Sequence, residues 1–148
     1  SKCSFHEDWL IFSNFKHWFE NPENGYIKGY HLDKDILVKG NKVYSPDTCC
    51  FVPQEINKLF TTRIPCRGTL PIGVTKNNGR GKPYIATMTK NHKANRLGTF
   101  NTPLEAFNAY KTAKEKYIKE LAEKYFQEGK ITERVYNALM KYEVEITD

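Results

Sequence analysis

The sequence has no apolar run that approaches the ~18 residues needed to cross a bilayer, and no signal-peptide pattern opens it. These absences argue against a membrane protein and predict a cytoplasmic one. Of the 148 residues, 39% are hydrophobic and 14% are aromatic. This composition is sufficient for a buried core, so it excludes a wholly disordered chain.

Cysteine is scarce, and no two of the four cysteines have the Cys-x-x-Cys spacing of a zinc or redox motif. Because the chain has no export signal, we expect reduced thiols that fill the core as small hydrophobic groups. The alternative is a zinc site formed by Cys3, His6, Cys66 and either Cys49 or Cys50.

Acidic residues are nearly missing from the middle of the chain. Residues 61–113 contain nine Lys or Arg and a single acid, Glu105, which gives a net charge of +8. Residues 1–60 and 114–148 each sum to −1, so this block accounts for the positive charge of the whole protein. A basic block between nearly neutral segments is typical of a surface that meets a polyanion.

The basic block has the pattern of three short strands followed by a helix. In residues 84–89 the side chains alternate between two faces, so Tyr84, Ala86 and Met88 share one of them. A capping box over residues 102–105 starts the helix. The apolar stripe of this helix is predicted to cover the Tyr84 face of the strands. The stripe consists of Leu104, Phe107, Tyr110 and Ala113.

The helix should leave the other face of the strands free for a partner. Five side chains are predicted to point outward there: Thr75, Asn77, Thr87, Thr89 and Arg96. The residues that flank them are basic: Lys76, Arg80, Lys82, Lys90 and Lys93. These residues are the predicted DNA-binding set, and because Lys and Arg neutralise phosphates, binding should weaken steeply with salt.

The motifs of this block resemble the Apetala-two (ethylene response factor) DNA-binding domain, including its stand-alone copies in phage proteins. The resemblance is carried by Gly73-Val74, Tyr84-Ile85-Ala86, Leu97-Gly98-Thr99-Phe100 and the pattern Thr-x-x-Glu-Ala-x-x-Ala-Tyr of residues 102–110. It implies a three-stranded antiparallel sheet that lies in the DNA major groove, with a helix behind it. Plant members present several arginines and tryptophans on the sheet, whereas this chain has mainly Thr, Asn and one Arg there.

Aromatic residues dominate the N-terminal third. Five recur at three- and four-residue steps, the spacing of an amphipathic helix whose aromatic face packs in a core: Trp9, Phe12, Phe15, Trp18 and Phe19. After a break at residues 21–25, residues 31–37 alternate as a strand and Gly40-Asn41 marks a turn. Pro53 then stands at the first position of a short helix.

The segment after the aromatic helix resembles the ββα-metal element of HNH endonucleases, as in phage proteins that carry this element ahead of an Apetala-two domain. The motifs are Leu-Asp-Lys-Asp-Ile-Leu, Gly-Asn-Lys, Tyr-Ser-Pro, Cys-x-Phe-Val-Pro and Ile-Asn, within residues 32–57. The resemblance implies that Asp33 is the metal-binding acid and Asn57 the ligand on the helix. Lys34 stands in place of the general-base histidine, and Thr48 in place of the asparagine that orients it.

Strand alternation offers another base. His31, Asp33 and Asp35 occupy every second position, so a regular strand points all three to the same face. Together with Asn57, the two carboxylates could hold Mg²⁺ or another divalent cation through oxygen ligands, with His31 as the catalytic base. The alternative is a degenerate site without a cofactor, in which the aspartates are ordinary strand residues or pair with neighbouring lysines.

The C-terminal third is predicted to be helical. The helix that starts at residue 103 should continue to a stop at Gly129, and Thr132 should cap a second helix. The sequence thus predicts an α+β protein: an HNH-like ββα element, a three-stranded antiparallel sheet packed on a helix, and a helical tail. The predicted segments are 1–62, 63–127 and 128–148.

The predicted function is binding of double-stranded DNA, either by a homing-like, metal-dependent HNH endonuclease or by a degenerate relative that does not cleave. Lys34 is a poor base, because its ordinary pKa of ~10.4 is raised further by flanking carboxylates. The alternative is a catalytically inactive phage accessory protein that binds a host protein, such as an anti-defence inhibitor. Either protein would act in the cytoplasm of an infected bacterial host.

Overall fold

The computed structural model describes residues 2–61 and 68–148 and has the predicted α+β architecture. It divides into two compact units. The first unit comprises Ser1–Thr61 and Ile118–Lys141, and the second comprises Thr62–Tyr117 and Tyr142–Asp148. These units are drawn differently from the predicted segments, because the second half of the long helix and the helix after it belong with the N-terminal residues.

The first unit combines short strands with helices. Its strands are β1 (Ser4–Phe5), β2 (His31–Asp33), β3 (Val43–Tyr44) and β4 (Cys50–Val52). Strand β1 pairs in parallel with β3, and β2 pairs antiparallel with β4. Its helices are α1 (Phe12–Glu20), α2 (Gln54–Leu59), the second half of α3 (Pro103–Gln127) and α4 (Glu133–Met140).

Aromatic rings form a cluster in the first unit, in which Trp9 and Phe51 are buried and the rings of α1 are half-buried. The ring centroid of Trp18 lies 4.8 Å from that of Trp9 and 5.3 Å from that of Phe51, and Phe15 and Phe19 join the same cluster. Phe12 does not follow the predicted aromatic face, since it is 73% exposed. The helical period is interrupted at Ile11: Trp9 lies in a separate 3-10 helix, Glu7–Leu10, and Phe12 lies in the first turn of α1.

The second unit contains the predicted three-stranded antiparallel sheet. Its strands are β5 (Val74–Lys76), β6 (Tyr84–Lys90) and β7 (Lys93–Phe100), with β6 in the centre. A two-residue turn joins β6 to β7, and both of its residues, Asn91 and His92, have positive φ (52° and 62°). This is the conformation of a type I′ turn, whose twist matches that of the strands in a hairpin.

The first half of α3 covers one face of this sheet. Phe107 and Tyr110 on the helix are buried together with Ala86 and Met88 on β6. The approach is close at Gly73, just before β5, which has φ of +76° and where a Cβ would lie 2.1 Å from the ring of Tyr110. The helix therefore requires glycine at this position, both for the backbone conformation and for space.

The predicted stripe of α3 is wrong at its first residue, because Leu104 is 57% exposed. An α-helix turns about 100° per residue, so Leu104 and Ala113 are about 180° apart around its axis. They cannot both lie at the centre of one buried face. The buried face is instead centred on Phe107 and Tyr110 and includes Ala106 and Tyr117.

The helix boundaries follow the predicted signals. The Thr102 hydroxyl accepts a hydrogen bond from the Glu105 N–H (3.2 Å), and the Glu105 carboxylate accepts one from the Thr102 N–H (3.2 Å), which completes the capping box. Gly129 has positive φ after the end of α3, and the Thr132 hydroxyl caps α4 at the Val135 N–H. Among the helices of the described residues, none is long and apolar enough to span a membrane.

Candidate nucleic-acid interface

The face of the β5–β6–β7 sheet turned away from α3 is called here the outer face. Residues that are opposite each other in neighbouring strands share a face. The register joins Thr75 to Ile85 and Ile85 to Thr99 in one row, then Thr87 to Arg96, then Thr89 to Ala94. The buried residues Val74, Ala86 and Met88 lie on the opposite, inner face. Four of the predicted outward side chains are therefore on the outer face: Thr75, Thr87, Thr89 and Arg96.

A β-bulge sets the position of Arg96. The register shifts between Ala86 and Thr87, so Ala86 is opposite Gly98 while Thr87 is opposite Arg96, and Leu97 is the extra residue of β7. Without the bulge, simple alternation from Gly98 would place Arg96 on the inner face, against the helix. The bulge thus turns this guanidinium to the outer face.

All the charged residues of the sheet and its loops are basic. Residues 74–100 contain six Lys or Arg and no acid, for a net charge of +6. Among these cations are five exposed side chains: Lys76, Arg80, Lys82, Lys93 and Arg96. Within the described ranges none of the five forms an ion pair. Arg63 and Arg67, counted in the basic block of the sequence, lie outside the described residues.

Two residues of the predicted DNA-binding set contact the protein itself. The Asn77 amide donates to the Lys82 carbonyl (2.9 Å), and its oxygen accepts from the Gly79 N–H (3.1 Å), so this side chain fastens the loop between β5 and β6. The Lys90 ammonium lies 5.0 Å from the centroid of the Tyr117 ring on α3. Alternation in β6 places Lys90 on the inner face, which explains why it meets the helix. Lys93 is opposite Lys90 and Lys76 is opposite Tyr84, so both lie in inner-face rows, but at strand ends where their side chains are exposed.

The predicted metal and catalytic residues lie in the first unit, around the end of β2. The amide nitrogen of Asn57 on α2 lies 3.5 Å from His31 Nδ1 on β2, so the structure brings two of these residues together. The third, Asp33, ends the strand: its Oδ1 accepts hydrogen bonds from the N–H groups of Asp35 (2.8 Å) and Ile36 (2.7 Å). The prediction of a regular strand over residues 31–37 is therefore wrong beyond Asp33.

The turn at Asp33 changes the environment of the acids around it. An aspartate side chain commonly binds backbone N–H groups two or three residues ahead and thereby turns the chain. Asp35 is consequently off the strand, and its carboxylate lies 3.6 Å from the Lys34 ammonium. Burial raises the pKa of Asp33, although two backbone hydrogen bonds act in the opposite direction. Asp33 is thus largely buried and forms part of the loop structure.

Lys34 and Thr48 occupy the positions that depart from the HNH pattern. Burial disfavours the charge of Lys34, but Asp35 and other nearby groups outweigh this and raise its pKa, so Lys34 is a protonated side chain at neutral pH. The Thr48 hydroxyl donates to the Val43 carbonyl (3.0 Å) and lies 2.7 Å from the Ser45 hydroxyl. Both side chains therefore stabilise loops of the first unit.

Metal-ligating side chains are dispersed in the described part of the chain. Within residues 2–61 and 68–148 no three His, Cys, Asp or Glu side chains come together as a set of ligands. Cys49 and Cys50 are buried, which raises the pKa of both thiols, while Cys3 is exposed. Cys66, which belongs to the alternative zinc site, lies outside the described residues.

No family model, curated protein or solved structure matches the chain. The two candidate sites are therefore distinguished by their own geometry. Three outer-face residues escape the sequence prediction: Ile85, Ala94 and Thr99. The alternation of side chains along β6 already indicates that Ile85 faces outward. The orientation of Ala94 and Thr99 depends on the cross-strand register and the bulge, which the sequence does not show.

Proposed function

We propose that the protein binds double-stranded DNA through the outer face of the β5–β6–β7 sheet. The observation that carries this proposal is the set of exposed cations on the sheet and its loops, which have no acid among them and form no ion pair within the described residues. Cations that the fold does not use are free to neutralise phosphates and to displace the counterions of DNA.

The dimensions of the sheet support a duplex ligand. Neighbouring strands lie ~4.8 Å apart, so the backbones of β5 and β7 are separated by about 10 Å. The major groove of B-DNA is ~12 Å wide. The outer face can therefore lie over the groove with the side chains of β6 directed into it, and the exposed basic residues of the strand ends and loops are then at the edges, within reach of the two phosphate backbones.

The proposal is tested by fluorescence anisotropy with labelled duplex DNA over a series of salt concentrations. If the five exposed cations contact phosphates, the logarithm of the association constant should fall with the logarithm of salt with a slope of about −4.5, at about −0.9 per contact. Absence of binding at low salt by the folded protein would overturn the proposal. The exposed apolar residues of the first unit would then favour a protein partner: Phe5, Leu10, Ile11 and Phe12.

A second candidate function is cleavage of the bound DNA by the first unit. The contact between His31 and Asn57 favours it, because it pairs an exposed imidazole with an amide that can orient it. The test is incubation with supercoiled plasmid with and without Mg²⁺ or Mn²⁺. Cation-dependent nicking that is lost in His31→Ala and retained in Lys34→Ala would support the assignment. No nicking under any of these conditions would leave DNA binding as the function.

A further inference from the structure

The outer face has a restricted chemistry. Apart from one arginine, the side chains that the strand register places on it all carry methyl groups: Thr75, Ile85, Thr87, Thr89, Ala94 and Thr99. Lysines lie at the strand ends and in the loops instead. The face thus combines one planar hydrogen-bond donor with a surrounding layer of methyl groups.

Each of these two features has a counterpart in the major groove. The guanidinium of arginine can donate two hydrogen bonds to O6 and N7 of guanine, and this is the commonest specific contact in protein–DNA complexes. The methyl groups of threonine and alanine pack against the C5-methyl of thymine, which no other DNA base carries. The face therefore matches guanine at one point and thymine around it.

The register fixes the order of these contacts along the groove. Arg96 is opposite Thr87. Counted along β6, the pair of Ile85 and Thr99 lies two residues to one side, and the pair of Thr89 and Ala94 lies two residues to the other. Two residues of a strand span about 7 Å, which is the length of about two base pairs. Methyl groups thus lie on both sides of the arginine, at a distance of about two base pairs.

We propose that the outer face recognises duplex sites in which a guanine is flanked on both sides by thymines, with Arg96 as the residue that reads the guanine. This specificity rests on the proposed DNA-binding function. The phosphate contacts of the surrounding lysines supply affinity for any duplex, and the outer face supplies the preference among duplexes.

The first experiment is selection from a pool of duplexes randomised over about six base pairs, the length that β6 covers. The recovered sites should contain a guanine with thymines within two base pairs on both sides. Replacement of the flanking thymines by uracil removes only the C5-methyl groups. It should weaken binding by about fourfold for each methyl group that is packed, from ~0.8 kcal/mol per buried methylene. Replacement of the guanine by 7-deazaguanine should weaken binding as well, because N7 is then missing.

Two variants assign these effects to residues. Arg96→Lys keeps the charge but loses the paired donors, so it should reduce the preference for guanine by about fivefold or more and leave binding to an unselected duplex nearly unchanged. Thr87→Ser removes one methyl group and keeps the hydroxyl, so it should reduce the discrimination between thymine and uracil. Thr112→Ser, at an exposed position on α3, is the matched control and should leave this discrimination unchanged.

The outcomes of these experiments distinguish the proposed DNA binding from the proposed preference for guanine and thymine. Selection of guanine–thymine sites, sensitive to uracil and to Arg96→Lys, supports the inference. Salt-dependent binding to all duplexes alike, with no response to uracil, overturns the inference and leaves the proposed function intact. Failure of the folded protein to bind any duplex at low salt overturns both.

Discussion

Two groups of charged residues, one in each unit, are in opposite situations. Near the end of β2, the Asp33 carboxylate is bound by two backbone N–H groups and Lys34 lies beside Asp35. On the sheet of the second unit the exposed cations lie among residues of the same sign and form no ion pair within the described ranges.

This difference separates charges that maintain the fold from charges that are available to a partner. A carboxylate that already accepts two hydrogen bonds must give them up before it can bind something else, which costs free energy. A solvated lysine beside other lysines gains when a polyanion approaches, since mutual repulsion is relieved and counterions are released. The comparison therefore favours the sheet as the binding surface.

Only the outer face of the sheet is available to a partner if α3 occupies the inner face. The strongest test is therefore to remove the contact between α3 and the inner face. Phe107, which is 5% exposed, should be essential: Phe107→Ala is expected to lower the free energy of unfolding by about 3–5 kcal/mol, as aromatic truncations in cores do. Urea denaturation measures the loss. Leu104→Ala, at the exposed position of the same helix, is the control and should cost less than ~0.5 kcal/mol. A loss below ~1 kcal/mol for Phe107→Ala would mean that the faces are assigned backwards.

The second test removes the free charges themselves. Simultaneous replacement of Lys76, Lys82 and Lys93 by alanine should weaken DNA binding by roughly a hundredfold and reduce the salt slope by up to about 2.7, at about 0.9 per phosphate contact. Anisotropy with labelled duplex measures both quantities. The matched control replaces three exposed lysines of the first unit, Lys28, Lys58 and Lys119, and should retain most of the affinity. Equal losses in the two triple variants would show that net charge, and not the sheet surface, governs binding.

Local sequence signals predicted the central strand of the sheet and the ends of α3 well. The capping box at Thr102, the stop at Gly129 and the alternation in β6 each depend on neighbouring residues only, and all three are present in the structure. Alternation also placed Thr87 and Thr89 on the outer face. The orientation of Arg96 depends on the bulge at Leu97, which no residue pattern signals, so the correct prediction for this residue did not follow from alternation alone.

Two of the errors arose where a side chain competes with regular structure. The alternating pattern after β2 predicted a continued strand, but the Asp33 carboxylate binds the backbone ahead of it and turns the chain. Asn77 similarly closes its own loop instead of facing outward. The second half of α3 belongs to the first unit because of contacts between residues that are distant in sequence. Local sequence patterns do not indicate such contacts.

A third test concerns a lysine of the second unit that is not freely solvated. Lys114 lies on the buried side of α3 between Tyr110 and Tyr117, and burial lowers its pKa to about 8 from 10.5. The folded state then binds fewer protons than the unfolded state between these two values, so its contribution to stability rises with pH from about 8 to about 10.5. Lys114→Met should raise the free energy of unfolding at pH ~7 by about 2 kcal/mol, a value discounted for partial exposure. Denaturation of both proteins over this pH range should show the difference shrinking as pH rises, and a constant difference would contradict the assignment.

The smallest expected effect on stability concerns Asp33 in the first unit, whose charge is bound by the fold. Asp33→Asn keeps the oxygen that accepts from the Asp35 and Ile36 N–H groups but removes the buried charge, so the fold should be retained. Asp33→Ala removes the acceptor and should lower the free energy of unfolding by roughly 1–2 kcal/mol. Because the pKa of Asp33 is raised above 3.8, the folded state binds the proton more tightly than the unfolded state. The contribution of this group to stability is therefore present at low pH and is lost as pH rises through the folded-state pKa.

It follows that Asp33→Asn should gain stability relative to the wild type as pH rises above the ordinary aspartate pKa of ~3.9, which urea denaturation at several pH values would measure. A second measurement decides between this structural role and the predicted metal ligand. A cation held by the Asp33 carboxylate would stabilise the folded wild type by mass action, and the asparagine variant would lose that effect. If thermal melts show that Mg²⁺ or Mn²⁺ raises the Tm of the wild type and not that of Asp33→Asn, the Asp33 carboxylate is available to bind a cation. Equal melts with and without the cation in both proteins would place Asp33 among the charges that maintain the fold.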